Sequence, residues 1–330
     1  MLTKENYTLE QSRENIVTES NDVKPLKSEE IRQNLIWPHI FVIVFLHAGF
    51  VFACSVYGFG LSSVRVKWLT VLWGVISCYL AFIGITAGAH RLWSHRAYKA
   101  NLNLRIILLI LYSFAGLYSL FQWIKDHRVH HKYSDTDADP HNASRGFFFA
   151  HLGWVLVERH PECLRRGREV DLRDIYADPV VMFNKKYVIE MYIIFCIAIP
   201  VAVPIIFWGE TLLHAILTQY FIRYLVILHV TLCGNSVAHL WGDRPYNSVI
   251  NPRDNIVLSL LTGGEGSHNY HHTFPWDYKG SEWPYMQFNL ATLFIRAFSK
   301  LEWAYDLREP SPTLVQKVIQ TIGHKSDVSS

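Results

Sequence analysis

Nine histidines in this chain stand at spacings suited to binding metal. His90 and His95 bracket H-R-L-W-S-H, His127, His130 and His131 lie in H-R-V-H-H, His268, His271 and His272 lie in H-N-Y-H-H, and His239 closes N-S-V-A-H. A neutral imidazole ligates Fe, Zn, Cu or Ni through one ring nitrogen. His127 and His131 are at i, i+4 and share a helical face, with His130 on its flank, and His268, His272 and His271 repeat the arrangement. His90 and His95 are five apart, a rotation of about 140° on an α-helix, so a bend or unwinding near Trp93 is expected if both are to reach one site. Two doublets facing each other offer more nitrogens than one tetrahedral ion accepts, which makes a pair of ions the economical reading.

Isolated histidines are ordinarily satisfied or surface polar residues, and His39, His47, His160, His214, His229 and His324 are read that way. By spacing alone His239 stands between the two readings. Asp135, Asp137 and Asp139 in Y-S-D-T-D-A-D-P lack the glycine and distal glutamate of a calcium loop, and are expected to cap helices or to hold histidines from behind.

The elements that carry these boxes are apolar. The chain is 50% hydrophobic and 14% aromatic, with a mean hydropathy of +0.12, above the usual range for a water-soluble domain. Four stretches, 38–57, 68–89, 187–208 and 212–234, have the roughly 20 residues a helix needs to cross a bilayer. Pro200 and Pro204 predict a kink in the third, with neighbouring helices satisfying the carbonyls they free. A short W-G-E-T turn makes spans three and four a hairpin. Leu102 to Trp123 is long enough to cross, but a crossing there would put the first two boxes on opposite sides, so it is read as an interfacial or cap-buried helix. Residues 1–36 form a polar segment without a removable signal, 37–310 the membrane domain, with a cap from 90–186 and 235–310, and 311–330 a tail.

With four crossings, all nine histidines face the compartment of both termini. Lys24, Lys27, Arg32, Arg91, Arg96, Lys99, Lys185, Lys186 and Arg244 lie on that side, against Arg65 and Lys67 opposite, so the positive-inside rule makes it the cytosol. Asn6 and Asn142 match glycosylation acceptors and are read as chance matches. A net charge of +3, with dispersed basic residues, excludes nucleic acid as a partner. Cys54, Cys78, Cys163, Cys196 and Cys233 form neither a disulfide framework nor a zinc knuckle.

The strings H-R-L-W-S-H, D-H-R-V-H-H-K and G-E-G-S-H-N-Y-H-H-T-F-P-W-D-Y, with D-A-D-P-H-N-A-S-R-G-F-F-F, N-S-V-A-H-L-W-G and R-P-Y, closely resemble those of the membrane acyl-CoA desaturases of the stearoyl-CoA type, and in particular insect members such as moth pheromone-gland desaturases. The resemblance spans roughly residues 35–310. It implies an all-α integral membrane protein: four transmembrane helices under a cytosolic helical cap, a histidine-rich di-iron site, a fatty acyl-CoA substrate, O2 as oxidant, electrons from cytochrome b5 and its reductase, and the endoplasmic reticulum membrane. Carried over by position, one iron takes His90, His95, His127, His131 and His271. The other takes His130, His239, His268 and His272, with Asn235 holding a coordinated water. Such a site answers a chemical need, because no amino-acid acid or base breaks an unactivated methylene C–H bond.

Lys125, Asp126 and Arg159 match the family's contacts to coenzyme A, with Trp123 beside them on the substrate path. The vertebrate pattern differs at Glu158-Arg159, Leu232, Tyr118 and His39, which changes the details of head-group binding. Phe82 and Cys78, about 12 and 18 Å below His90 by helical rise, are expected to line the closed end of an acyl tunnel and to favour chains of roughly C14 to C16 over C18. Segment Asn251 to Asp254, N-P-R-D, occupies the place of a short signature among insect members and leaves the bond position open between Δ9 and Δ11. Alternatives are a histidine-box fatty-acid or sterol hydroxylase, which begins from the same C–H abstraction, and a metal transporter, which requires ionisable groups within the bilayer.

Overall fold

A computed structural model describes residues 33–58, 65–282 and 289–323. Contacts divide the chain into two units, Met1–Asn34 and Leu35–Ser330, and the spans and the cap belong to the second. Lys24, Lys27, Arg32, Asn6, His324 and the segment 59–63 between the first two spans lie outside the described residues.

Among the described residues, four helices are long and apolar enough to cross a membrane: Trp37–Gly58, Trp68–Ser94, Val188–Trp208 and Leu212–Leu240. The second and fourth run past their apolar stretches, and those extensions carry His90 and His239. Phe41, Phe45, Phe52, Trp68, Ile193 and Phe207 point outward, as they must where the surroundings are hydrocarbon.

The third span keeps both prolines inside a continuous helix by borrowing donors. Pro200 lacks the N–H that would reach Cys196, and Arg223 Nη2 donates to the Cys196 carbonyl instead, at 2.6 Å. Pro204 likewise leaves the Pro200 carbonyl free, which accepts from Trp73 Nε1 at 3.1 Å. Gly209, in the left-handed region at φ 64°, turns the chain into the fourth span. The next residue, Glu210, is buried there and accepts from Lys67 N at 3.0 Å and Thr70 Oγ1 at 2.6 Å, capping the start of the second span.

The run from Leu102 to Trp123 is not one helix. Leu102–Phe114 ends before Gly116, whose φ of 66° is left-handed, and Ser119 caps a new helix, Leu120–Tyr133, which carries the second box. Thirteen residues rise about 20 Å, too little to cross. Leu102–Phe114 instead lies against the second span, where a Cβ at Gly84 would collide with the backbone of Leu111 and Tyr112. Leu104, Leu108, Tyr112, Leu120 and Ile124 are buried there with Ile175, Val181 and Ile295, making the floor of the cap.

Short helices complete the cap. A two-stranded antiparallel pair, Lys99–Ala100 with Ala304–Tyr305, joins the segment after the first box to the chain near its end. Within the expected tail, Pro312–Ile322 is a helix whose Val315, Val318 and Ile319 pack on Tyr246, Tyr270 and Phe274, behind the third box.

Candidate metal centre

The first box lies on a widened helix. Gly84–Ser94 is π-helical, and the N–H of His95 donates to the carbonyl of His90, five residues earlier, at 3.1 Å. An i→i−5 bond makes residues five apart neighbours along one face. Of the bend or unwinding expected near Trp93, the structure has the unwinding: a wider π-turn brings His95 under His90. The second box follows on Leu120–Tyr133, the third on His268–Thr273, and His239 sits in Val237–Leu240 at the end of the fourth span.

These elements bring the nine imidazoles into two groups: His90, His95, His127, His131 and His271, and His130, His239, His268 and His272, the candidate ligand atoms in each within 4.8 Å of one another. In the first, Nε2 of His271 lies 2.9 Å from Nε2 of His90 and 3.0 Å from Nε2 of His131, and Nε2 atoms of His95 and His127 are 2.8 Å apart. In the second, His268 Nε2 lies 3.1 Å from His239 Nε2 and 3.2 Å from His272 Nε2.

Three carboxylates determine what these short distances mean. Nδ1 of His90 faces Glu265 Oε2 at 2.9 Å, Nδ1 of His130 faces Asp139 Oδ2 at 2.9 Å, and Nδ1 of His239 faces Asp135 Oδ1 at 3.2 Å. A carboxylate holds the ring proton on Nδ1, which leaves the lone pair of Nε2 directed inward. Lone pairs converging at such distances repel unless a cation lies among them, so the donor set fits a pair of metal ions.

Electrostatics agree. Burial, with the charges of neighbouring imidazoles and arginines, pushes His95, His127, His131, His268, His271 and His272 well below the ordinary histidine range, so each is neutral and able to ligate. For Glu265 burial acts in the opposite sense, but Arg91 and His90 outweigh it and bring the carboxyl down to about 2. Burial would likewise raise Asp139 and Asp135, and the imidazoles beside them, His130 and His141 for the first and His239 for the second, hold both below the usual carboxylate range.

A cavity of about 530 Å³ opens on these groups. Its lining includes His90, His127, His130, His268 and Asn235, apolar Phe82, Ile85, Tyr224 and Leu228, and polar His39, Tyr118, Gln122, Asp126 and Arg159. Asp126 gathers the polar part: it accepts from Arg159 Nη2 at 2.6 Å, Tyr118 OH at 3.1 Å and Gln122 Nε2 at 2.9 Å. Trp123 lines the same cavity and stacks on His127 at 4.9 Å.

Two residues carried over as substrate contacts, Lys125 toward coenzyme A and Cys78 at the tunnel end, are not in this lining. Lys125 projects from the other face of its helix, against Gly167, and Cys78 lies one turn beyond Phe82, its Sγ 4.0 Å from the Arg223 carbonyl. Helix geometry accounts for Lys125, whose side chain is turned about 100° from that of the cavity residue Asp126. Two partners of the histidines, half-buried Glu265 and buried His141, escape a reading by spacing. Glu265 stands three residues before His268 in G-E-G-S-H, and His141, inside D-A-D-P-H-N, is buried with its ring 4.4 Å from that of His130. The other histidines have partners: His39 with Val155, His160 capping Glu162, His214 with Tyr57, and His47 and His229 with each other, His229 also meeting His151. Asn142 is buried and bonded to Ser144, leaving no room for a glycan.

Comparison with known proteins points the same way. Residues 66–301 match the family model described as fatty acid desaturase. The chain is 47% identical over 263 residues to an acyl-CoA Δ11 desaturase of Spodoptera littoralis, covering 80% of this chain and 78% of that one. It is 41% identical over 298 residues to an acyl-CoA Δ9 desaturase of Acheta domesticus, covering 90% and 82%. With the stearoyl-CoA desaturase of Homo sapiens it shares 44% over 288 residues, covering 87% and 78%.

Proposed function

Because the chain belongs to the fatty acid desaturase family, we propose that it is an O2-dependent acyl-CoA desaturase that places a double bond at the Δ9 or Δ11 position of a saturated acyl chain. The observation that carries this reading is the opening of an apolar cavity directly onto the two histidine groups. Removing two hydrogens from adjacent methylenes, with two further electrons and two protons, reduces O2 to two waters. Two iron ions, when bound, would activate O2, the oxidant, for the C–H cleavage.

The protein supplies the rest. His90, His95, His127, His131 and His271 hold one ion, and His130, His239, His268 and His272 the other, with Asn235 positioned by its place in the lining to hold a water. Glu265, Asp139 and Asp135 set the tautomers of His90, His130 and His239. Arg159 and Asp126 receive the polar head of acyl-CoA, with Trp123, Tyr118 and Gln122 at the passage inward. Phe82 closes the far end, so chain length determines which methylenes stand beside the ligands. The apolar walls exclude water while the oxidation proceeds.

Electrons come from cytochrome b5 and its reductase, the membrane is that of the endoplasmic reticulum, and the histidine end faces the cytosol. The product serves insect lipid or pheromone-precursor synthesis. Expression in yeast lacking its own desaturase, with mass spectrometry of the fatty acids, tests the reading. Monounsaturated products that vanish with His131→Ala, from protein carrying two irons per chain, are expected. Hydroxylated products, or active protein containing zinc and no iron, would overturn it.

A further inference from the structure

Three of the four histidines in the second group, His239, His268 and His272, come from two segments with no helix in common, and a strip of three residues lies between them. Arg253 N donates to the carbonyl of Ala238, beside His239, at 2.6 Å, and Asp254 exchanges backbone bonds with Asp243 at 2.7 and 3.0 Å. On the other side Asn255 N donates to Gly266 O at 2.7 Å, next to the third box. Both flanks approach too closely for any side chain: a Cβ at Gly242 would strike the Asp254 carbonyl, and one at Gly266 the Asn255 carbonyl. One side chain completes the strip. Asp254 Oδ1 accepts from the backbone N–H of Asn269 at 2.8 Å and of Tyr270 at 3.3 Å, inside the segment that bears His268, His271 and His272.

We propose that Asp254 is the positioning residue of the second metal group: its backbone holds the His239 arm and its carboxylate holds the third box, so that the two arms keep a common register. The inference rests on the reading of His130, His239, His268 and His272 as one ion's ligands. The first group is much less dependent on the strip, because His90, His95, His127 and His131 come from the second span, its end and the second-box helix, and only His271 is shared. Losing Asp254 therefore disturbs the two groups unequally.

The test is metal content of purified protein together with amide hydrogen exchange of residues 266–272, for wild type, Asp254→Ala and Asp254→Asn. Asparagine keeps an oxygen where Oδ1 stands and can accept the same two bonds. Asp254→Ala is expected to fall from about two ions per chain to about one, and to exchange faster at Asn269 and Tyr270, while Asp254→Asn keeps both ions. Two ions retained in Asp254→Ala, with unchanged exchange, would overturn the proposal. If the alanine variant does not accumulate, the asparagine variant decides: loss of an ion there shows that accepting those bonds is not the role. If wild type itself does not hold two ions, the functional reading fails, and the exchange data still decide whether Asp254 holds the third box.

Discussion

Glu265 holds two neighbours on the first-box helix at once: Oε2 faces Nδ1 of His90 at 2.9 Å, and Oε1 accepts from Nη2 of Arg91 at 2.6 Å. Arg91 is almost wholly buried and reaches Tyr278 O and Thr292 Oγ1 with its other nitrogen, so Glu265 neutralises a cation inside the cap while it orients a ligand. The third-box loop and the first-box helix are thereby linked through one carboxylate.

Glu265→Gln is expected to lower activity or metal affinity about 10- to 100-fold, because an amide does not hold the proton on Nδ1 of His90 as a carboxylate does. Titration of the stripped protein with ferrous iron, followed by turnover at saturating iron, separates the two effects. Wild-type values in both would show that the carboxylate serves only Arg91.

Six imidazoles in the two groups are held neutral by burial, His95, His127, His131, His268, His271 and His272. In the unfolded chain each takes a proton near pH 6.5, whereas the folded cap resists protonation until well below that. The stability these groups contribute is present above about pH 6.5 and lost as the pH falls below it. Metal-stripped protein is expected to unfold at progressively lower temperature between about pH 7 and pH 5. A melting temperature that is flat or rises on acidification would contradict the burial.

Phe82 lies on the second span, buried and lining the cavity, with Cys78 one turn beyond it. Phe82→Ala is expected to move the preference from roughly C14 to C16 substrates toward C18, at a stability cost of about 3–5 kcal/mol. Product chain lengths measured by gas chromatography check this. An active variant with an unchanged distribution would make the ring a packing element only.

Tags at either end are expected to be reached from the cytosolic side, and an acceptor placed in 59–63 to be the one that is glycosylated. Protease protection and glycosylation mapping in microsomes read both. Modification of an acceptor near Asn142, placed on the surface so that glycan can fit, would defeat the four-span arrangement.

Most of this architecture is legible in the sequence because it is written in local chemistry. The spans follow from apolar length, and the two spatial groups of histidines from imidazole spacing together with family resemblance. The illegible part depends on backbone state or on distant contacts. A π-turn at His90 to His95 leaves no compositional mark, and the break at Gly116 is hidden inside an apolar run. Glu265 and His141 meet their partners across long stretches of chain or a tight loop, where periodicity carries no information. Lys125 follows a different direction from Asp126, its neighbour in sequence, because successive side chains on a helix are turned apart by about 100°.

The two prolines of the third span have a consequence for how the molecule is assembled. Hydrocarbon offers no hydrogen-bond donor, so a lone third span would enter the bilayer with the carbonyls of Cys196 and Pro200 bare. Trp73 is synthesised before it, but Arg223 arrives only with the following span. The third span is therefore an unfinished object when it leaves the ribosome, and becomes a settled membrane helix only in the company of both neighbours. An arginine that a hydropathy scale counts as a defect is what completes it.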